Sequence, residues 1–249
     1  MNKIIIANWK MNPTSLEEAT ELFKDEVAQA KKFPSITTII CPPFVYLEEL
    51  AKLGTDFLGA QDIFWKESGP FTGEISTEML KNFGVSHVLI GHSDRRYVMG
   101  ESDEMINKKV QAALDSNITP VLLVGERSKE DNRKEVLRIQ LATDLKNVKI
   151  DDIGRILIAY EPVWAISTSG NAQPDSPENT IEAIKIIREF LSEEFNRDFS
   201  ALPILYGGSV NENNVASLLS HPEISGAVIG GASLRKDEFA NIFKIVMSL

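Results

Sequence analysis

The clearest candidate for chemistry lies in one central stretch, Arg155-Ile-Leu-Ile-Ala-Tyr-Glu161-Pro-Val-Trp-Ala165. Ile156 to Ala159 is apolar or small and predicts a strand that is buried on both faces. Because Pro162 has no N–H and favours extended geometry in the residue before it, the strand should end at Glu161. A carboxylate at the carboxyl end of a buried strand, beside Trp164, is well placed to act as a general base. For Glu161 taken alone, an ion pair with a neighbouring Lys or Arg is the alternative.

A lysine and a histidine follow two other apolar runs. Lys10 lies in Asn8-Trp-Lys-Met-Asn12, and His92 follows Ile90-Gly91. Taken singly, such a lysine is more often solvated and such a histidine more often structural. If both lie at the same edge as Glu161, Lys10 supplies a fixed positive charge and a neutral His92 can donate a hydrogen bond to a carbonyl oxygen. His87 and His221, which lie away from that edge, are expected to be structural, and so is Cys41.

Two glycine pairs predict an anion site. Gly207-Gly208-Ser209 and Gly230-Gly231 each follow an apolar run and are expected to open a helix, where free N–H groups and the helix dipole attract anions. A simple turn is the alternative for either pair alone, but two pairs in adjacent loops favour phosphate binding. A base, a neutral donor, a fixed cation and a phosphate site together indicate proton abstraction beside a polarised carbonyl.

Eight short apolar runs, each followed by an amphipathic stretch, must position these groups. The predicted strands are Lys3 to Asn8, Ile36 to Cys41, Asp56 to Gln61, His87 to Gly91, Thr119 to Val124, Arg155 to Glu161, Pro203 to Tyr206 and Gly226 to Gly230. The predicted helices are Ser15 to Lys31, Phe44 to Leu53, one from Ser76, Asp103 to Ser116, Lys129 to Leu145, Pro177 to Phe195, Glu212 to Leu219 and Ser233 to Val246.

Strands without polar alternation indicate a parallel sheet covered by helices, and eight equal units without a linker predict one α/β domain, a (β/α)8 barrel spanning residues 1–249. An open doubly wound sheet is the rival, but neither a dinucleotide-binding glycine motif nor a P-loop occurs. In a barrel, the residues that follow the strands share one rim. The rim is then formed by Asn8, Lys10, Gln61, His92, Glu161, Ser167 to Gly170 and the two glycine pairs.

Composition narrows the classes of function. The 249 residues carry a net charge of -10, which argues against binding to nucleic acid or to an anionic membrane. Cys41 is the only cysteine and the three histidines are scattered, so neither a disulfide framework nor a metal site is expected. The apolar run at the start is too short for a signal peptide, and no run approaches the ~20 residues of a membrane span. A cytoplasmic protein is expected.

Five motifs, in order and across the whole chain, resemble the triosephosphate isomerase family. They are Asn8-Trp-Lys-Met-Asn12, Ile90-Gly-His-Ser-Asp-Arg-Arg96, Ala159-Tyr-Glu-Pro-Val-Trp-Ala-Ile166, Tyr206-Gly-Gly-Ser-Val210 and Gly230-Gly-Ala-Ser-Leu234. The resemblance implies a TIM barrel that interconverts dihydroxyacetone phosphate and glyceraldehyde 3-phosphate through an enediol(ate), without a cofactor. This family is a well-known example of pKa tuning, and the resemblance to it implies the roles of the individual residues.

The resemblance assigns each candidate a role. Glu161 is the base, His92 is the neutral electrophile, and Lys10 and Asn8 hold the substrate and its developing charge. Backbone amides bind the phosphate at four positions: Ser167, Ser209, Gly230 and Gly231. Residues 162–172 form a lid that excludes water. The family forms homodimers, so the loop Ser68-Gly-Pro-Phe-Thr-Gly-Glu74 is expected to insert beside the partner's site, with Thr72 toward the partner's Asn8.

The sequence departs from the family pattern in three places: the lid, Asp94 and Leu123. The lid has Ile166-Ser-Thr-Ser-Gly170 where Ile-Gly-Thr-Gly-Lys is usual, and serine disfavours the positive φ that glycine adopts. Asp94 replaces a glutamate, so its contact with Lys10 is expected to be lost or bridged by water. Leu123 replaces a cysteine, which we interpret as a packing change. The altered lid leaves two alternatives: an isomerase for a related small sugar phosphate, or a weakly active barrel kept as a binding protein.

Overall fold

The structure, a computed structural model, describes residues 2–166 and 175–249. In these residues eight parallel strands form one sheet in the order β2-β1-β8-β7-β6-β5-β4-β3. The strands are β1 (Ile4–Asn8), β2 (Thr37–Cys41), β3 (Gly59–Ala60), β4 (His87–Ile90), β5 (Thr119–Val124), β6 (Leu157–Tyr160), β7 (Ile204–Tyr206) and β8 (Gly226–Ile229).

The two edges of this sheet meet and nearly close it into a barrel. Ile40 on β2 forms a parallel bridge with Leu58, and its N–H donates to Phe57 O at 2.7 Å. Because all neighbouring strands run parallel, their carboxyl ends lie on one rim. The predicted (β/α)8 TIM barrel is confirmed.

Helices follow the strands and cover the outer face of the barrel. They are α1 (Leu16–Lys32), α2 (Leu47–Ala51), α3 (Thr77–Lys81), α4 (Asp103–Asp115), α5 (Arg133–Asp144), α6 (Ile150–Ile153), α7 (Pro177–Phe195), α8 (Val215–Leu219) and α9 (Lys236–Met247). Short 3-10 turns at Phe44–Tyr46 and Val163–Ala165 and a π-helical turn at Asp94–Val98 complete the set. Ser15 caps α1: its hydroxyl accepts from Glu18 N at 3.2 Å.

Apolar side chains form two layers. An inner cluster fills the barrel: Ile6, Ile39, Cys41, Leu89, Val121, Leu123, Ala159, Leu205 and Val228. A larger outer cluster lies between the sheet and the helices, and includes Phe23, Ile187, Phe190, Phe239 and Phe243. Strand residues therefore alternate between two apolar environments, which explains why the strands lack polar alternation in the sequence. Leu123 lies in the inner layer, as a packing residue would.

Several predicted boundaries were wrong. Asp56 to Gln61 yields a strand of only two residues, Gly59–Ala60, because the preceding chain runs through turns. The helix predicted over Lys129 to Leu145 begins only at Arg133, after the turn in which the Asp131 carboxylate accepts from Arg127 N and Ser128 N. Among the described helices, none is long and apolar enough to cross a membrane.

Candidate active site

The loop after β1 holds Lys10 in a strained conformation. Lys10 has φ 53°, a left-handed value that side-chain-bearing residues rarely adopt and that costs about 1–3 kcal/mol. Two side chains hold it there. Its N–H donates to Asn8 Oδ1 at 3.1 Å, and its carbonyl accepts from Gln61 Nε2 at 2.7 Å. Gln61 also donates to Cys41 O at 2.9 Å, so it ties the Lys10 loop to the end of β2.

His92 follows β4 and is buried at the rim. Its Nδ1 accepts a hydrogen bond from Asp94 N at 3.0 Å, so the ring proton resides on Nε2 and the imidazole is neutral. Nε2 lies 3.1 Å from Glu161 Oε1 and donates to it. The second Asp94 contact, Oδ2 at 3.6 Å from Nδ1, is too long to compete with the amide. The geometry therefore supports the predicted neutral hydrogen-bond donor.

Glu161 follows β6 directly and is 3 % exposed. Besides His92, its carboxylate accepts from Ser93 N at 2.7 Å through Oε2. Burial raises the pKa of the Glu161 carboxyl above its ordinary value of 4.5, while His92, the Ser93 amide and Lys10 oppose the rise. The carboxylate is thus a stronger base than an exposed glutamate, and no Lys or Arg lies against it among the described ion pairs. This geometry therefore favours a general base at Glu161 over an ion-pair partner of a neighbouring Lys or Arg.

These groups share one cavity of about 300 Å³. It is lined by Asn8, Trp9, Lys10, Asn12, His92, Glu161, Ile166, Gly207, Gly208, Ser209, Val210, Asn211, Val228, Gly230, Gly231, Ala232, Leu234 and Arg235. A Cβ on Gly230 would lie 3.8 Å from Lys10 Cε, so the second glycine pair is next to the lysine side chain. Glu161, His92, Lys10 and the glycine loops therefore line one cavity, which is the arrangement that the shared rim predicted. His87, His221 and Cys41 do not line the cavity.

The glycine loops differ from the prediction in one respect: neither pair opens a helix. α8 begins at Val215 and α9 at Lys236, each several residues after its glycine pair. Both pairs lie instead in loops that approach the cavity. The N–H of Ser209 already donates to Ala165 O at 3.2 Å, so an anion at that amide must replace this bond. The predicted lid residues Ser167 to Ala172 lie outside the described part of the chain.

Asp94 keeps a direct contact with Lys10, contrary to the sequence expectation. Its Oδ2 lies 3.1 Å from Lys10 Nζ. The shorter side chain reaches because Asp94 begins the π-helical turn Asp94–Val98, immediately beyond His92, and its backbone is already close to the rim. This ion pair holds the lysine head group near the cavity.

Several supporting residues were not singled out by the sequence. Arg96, 8 % exposed, donates through Nε to Gly91 O at 2.7 Å and through Nη2 to Leu123 O at 3.0 Å, which fixes the backbone just before His92. Gly125 has no room for a side chain, because a Cβ there would lie 2.1 Å from Glu161 O. Arg96 follows His92 in the same motif and could have been suspected. Nothing in the sequence marks the Gly125 contact.

The environment of Glu161 makes a prediction about its titration. Since burial raises its pKa, the carboxyl should protonate at a higher pH than a free glutamate, with a midpoint above 4.5. We expect a ¹³C carboxyl titration of the ligand-free protein to include, among the signals with raised midpoints, one that Glu161→Gln removes. A midpoint at or below 4.5 would mean that the hydrogen bonds outweigh burial. Titration of the free protein avoids interference from a substrate phosphate.

The chain is similar to known proteins along almost its full length. The sequence model described as triosephosphate isomerase matches residues 3–246. A protein from Caldanaerobacter subterraneus subsp. tengcongensis, named triosephosphate isomerase, is 43% identical over 96% of this chain and 97% of its own length. Proteins with the same name from Dictyoglomus thermophilum and Dehalococcoides mccartyi are 42% and 43% identical, each over 97% of this chain and over 98% and 96% of their own lengths. With the barrel and its converging rim, this similarity shows that the chain belongs to the triosephosphate isomerase family.

Proposed function

We propose that this enzyme interconverts dihydroxyacetone phosphate and D-glyceraldehyde 3-phosphate through an enediol(ate), without a cofactor. The observation that carries the proposal is the pairing of a neutral imidazole with a buried carboxylate at 3.1 Å, in the cavity that also contains Lys10 and the glycine loops. Such an arrangement provides a base and a hydrogen-bond donor at two neighbouring points of one substrate. The related proteins carry the corresponding name.

In this mechanism the substrate enters between His92 and Glu161. The Nε2–H of His92 transfers its hydrogen bond from Glu161 to the substrate carbonyl oxygen and polarises it. Glu161, released from His92 but still bonded to Ser93 N, removes a proton from the adjacent hydroxyl-bearing carbon and returns it to the former carbonyl carbon. His92 Nε2 gives its proton to the former carbonyl oxygen and takes up the proton of the neighbouring hydroxyl, which becomes the new carbonyl. A carboxyl with a raised pKa suits this task, because proton transfer is most efficient when the base pKa approaches the working pH.

Lys10 and Asn8 support the charge that develops on the substrate. The ammonium group of Lys10 is held at the cavity by Asp94, and it stabilises both the phosphate and the enediolate oxygen. Asn8, 5 % exposed, fixes the Lys10 amide and lines the same cavity. In a protein with net charge -10, this local cation is what attracts an anionic substrate.

The phosphate lies against the loops after β7 and β8, with amides of Ser209, Gly230 and Gly231 as donors. This placement follows from the small residues there, which allow an anion to approach the backbone next to Lys10. Binding at Ser209 exchanges its present bond to Ala165 O for one to the phosphate. Ser167 is the fourth proposed amide donor.

A coupled assay with purified protein and glyceraldehyde 3-phosphate tests the function directly. We expect turnover, and in D2O the product should carry one deuterium at the carbon next to the new carbonyl. A related small sugar phosphate as the true substrate would give faster turnover with that compound. A protein that binds triose phosphate without turnover would support the weakly active alternative and contradict the proposal.

We also propose that the chain forms a homodimer through the loop of residues 68–74. Large apolar side chains are exposed in the segments that follow β1, β2, β3 and β4, next to one another on the barrel: Met11 89%, Val45 79%, Phe71 39%, Val98 73% and Met99 63%. An apolar surface of this kind is typical of a contact between proteins. In the dimer, Thr72 from this loop lies toward Asn8 of the other copy.

The dimer makes a prediction for single charged substitutions. Val45→Glu should shift the protein from dimer to monomer in sedimentation velocity, because a buried unpaired carboxylate at an interface is strongly unfavourable. Val45 is already exposed in the single chain, so the fold should be unchanged. Ile139→Glu on α5, where the residue is 55% exposed, is the matched control and should leave the association unchanged. Equal sedimentation of both variants and the unmodified protein would rule out this interface.

A further inference from the structure

Trp9 stands between the two residues that build the cation site, Asn8 and Lys10. It lines the cavity and its side chain is fully buried. A buried indole N–H needs an acceptor, and here Nε1 donates to Glu26 Oε1 at 3.0 Å. Glu26 lies on α1, 17 residues further along the chain, and is 2% exposed. One buried carboxyl group therefore ties the strained loop of Lys10 to the helix that covers it.

No cation accompanies this carboxyl group within residues 2–166 and 175–249. The helix α1 packs against β2, α2 and α9, and the cations on or beside those elements contact other groups, Lys244 among them through its bond to Asn241 Oδ1 at 3.1 Å. Lys236 pairs with Asp25 at 2.8 Å, Lys52 pairs with Glu49 at 2.5 Å, and Glu238 pairs with Arg235. The titratable group on β2 is the thiol of Cys41, which lies inside the barrel; its pKa is raised by burial and, secondarily, by Glu26.

Two buried acceptor oxygens at Glu26 and Gln29 have no hydrogen-bond donor among the described residues. Across the described part of the chain, Glu26 Oε2 is buried without a partner, and so is Gln29 Oε1 one helical turn further on. Residues three apart lie on the same helical face, and neither of these two buried acceptor oxygens receives a hydrogen bond in the described part of the chain. A proton on Glu26 Oε2 is the donor that this region lacks. Burial independently raises the pKa of Glu26 well above its ordinary value, partly opposed by the Trp9 hydrogen bond.

We propose that Glu26 is a positioning residue that holds the Asn8–Lys10 segment as a neutral, protonated carboxylic acid. The proposed role of Glu26 in positioning Lys10 rests on the proposed function. The proposed protonation of Glu26 is independent of that function. Loss of the proton leaves a buried carboxylate without a counter-ion, which is strongly unfavourable, so the segment must loosen or α1 must shift. Deprotonation of Glu26 thus sets an alkaline limit on the cation site that is separate from the chemistry of Glu161 and His92.

The pH dependence of the Tm tests directly whether Glu26 is protonated in the folded protein. Since the folded-state pKa of Glu26 is raised, its stabilising contribution is complete below the unfolded-state value near 4.5 and is lost as pH rises through the folded-state value. Glu26→Gln keeps an acceptor for Trp9 and supplies a permanent N–H in place of the proton. We expect this variant to match the unmodified protein at pH 5 and to exceed its Tm by about 3 °C or more at pH 9.5. Glu21→Gln, an exposed position on the same helix, should show no such difference.

Kinetics test the positioning role. Glu26→Gln should keep kcat/KM within about twofold of the unmodified enzyme at pH 7.5 and lose less activity above pH 9, whereas Glu26→Ala should raise KM about tenfold, since a tenfold change corresponds to the loss of one hydrogen bond to a buried group. The proposal is overturned if Glu26→Gln follows the same pH dependence of Tm as the unmodified protein, or if it is as impaired as Glu26→Ala. An unmodified protein without isomerase turnover would contradict the proposed function, while the Tm comparison would still decide the protonation of Glu26.

Discussion

Replacement of Glu161 by glutamine is expected to lower kcat about 10³-fold, within the 10²–10⁴-fold range that a positioned general base contributes. The amide cannot remove a proton from carbon, yet it is nearly the same size and can still accept from Ser93 N. KM should change little, because the charge that binds the phosphate comes from Lys10. A coupled assay that separates kcat from KM measures this effect.

The fold of Glu161→Gln should be as stable as that of the unmodified protein, or more stable. The buried carboxylate has a raised pKa, so its ionised form is unfavourable in the folded state, and the variant removes that charge. Lost activity with retained stability assigns the defect to chemistry. A variant that retained more than a tenth of the activity would show that Glu161 is not the base.

Glu161→Asp provides a matched control. It keeps the carboxylate but retracts it by one methylene from both His92 and Ser93, which lie at 3.1 and 2.7 Å. A misplacement of about 1 Å at a reacting group can cost about 10²-fold in rate. We therefore expect a loss smaller than that of the glutamine variant. The order of the three proteins distinguishes a base, which depends on ionisation and position, from a residue that only shapes the cavity.

The second large effect concerns a cluster of four charged residues, in which Asp62, Glu101 and Lys109 are buried and Arg95 is half-buried. Lys109 Nζ contacts Asp62 at 2.6 Å and Glu101 at 2.5 Å, and Arg95 contacts Asp62 at 2.9 Å. The Lys109 side chain is only 2% exposed. The cluster joins the end of β3, the helix α4 and the turn that begins with Asp94, so it supports the residues on either side of the cavity.

Lys109→Met should lower the free energy of unfolding by about 3–5 kcal/mol, the usual result of removing one partner from a buried ion pair. The methionine fills a similar volume but leaves two buried carboxylates with only Arg95 between them. Urea denaturation followed by circular dichroism measures this loss. Lys108→Met is the control: that neighbouring side chain is exposed, with its ammonium group 5.3 Å from the centre of the Trp65 ring, and its loss should cost about 1 kcal/mol or less.

A second substitution separates charge from packing. Burial raises the pKa of Asp62, although Lys109 opposes this, so its contribution to stability is largest at low pH and falls as pH rises through the raised value. Removal of Lys109 strengthens this trend. Adding Asp62→Asn to Lys109→Met should therefore restore part of the lost stability at neutral pH. No restoration would mean that the loss arises from packing rather than from an unpaired charge.

The sequence predicted the barrel because its strands are buried on both faces. Eight apolar runs without alternation, separated by amphipathic stretches, favour one arrangement, and proline ended β2 and β6 close to the predicted residues. On α1 the apolar residues of the sequence do not fully coincide with the buried face. Ala19, Phe23 and Ala30 are buried, but Leu16 is 46% exposed and Glu26 takes a place on the buried face. From the sequence pattern alone, a charged residue such as Glu26 is expected to face solvent. Its burial becomes evident only from the residues that pack around it in the folded protein.

The sequence was sufficient to predict those site residues that directly follow a strand. Residues at the carboxyl ends of parallel strands must share a rim, so Glu161, His92, Lys10 and the glycine pairs could be placed together. Contacts that depend on exact backbone paths could not be placed. The Asp94–Lys10 ion pair was expected to be lost, and it forms because the π-helical turn sets the Asp94 backbone close to the rim.

By itself, then, the sequence determined the fold class, the family and the residue types that meet at the rim, because these follow from hydrophobic pattern and from position after each strand. The tertiary structure decided the states of those residues. It made His92 neutral through the amide of Asp94, raised the pKa of Glu161 by burial, engaged the Ser209 amide, and placed Glu26 beneath Trp9. Protonation and strain depend on the neighbours that folding brings from distant parts of the chain, and no local pattern specifies them.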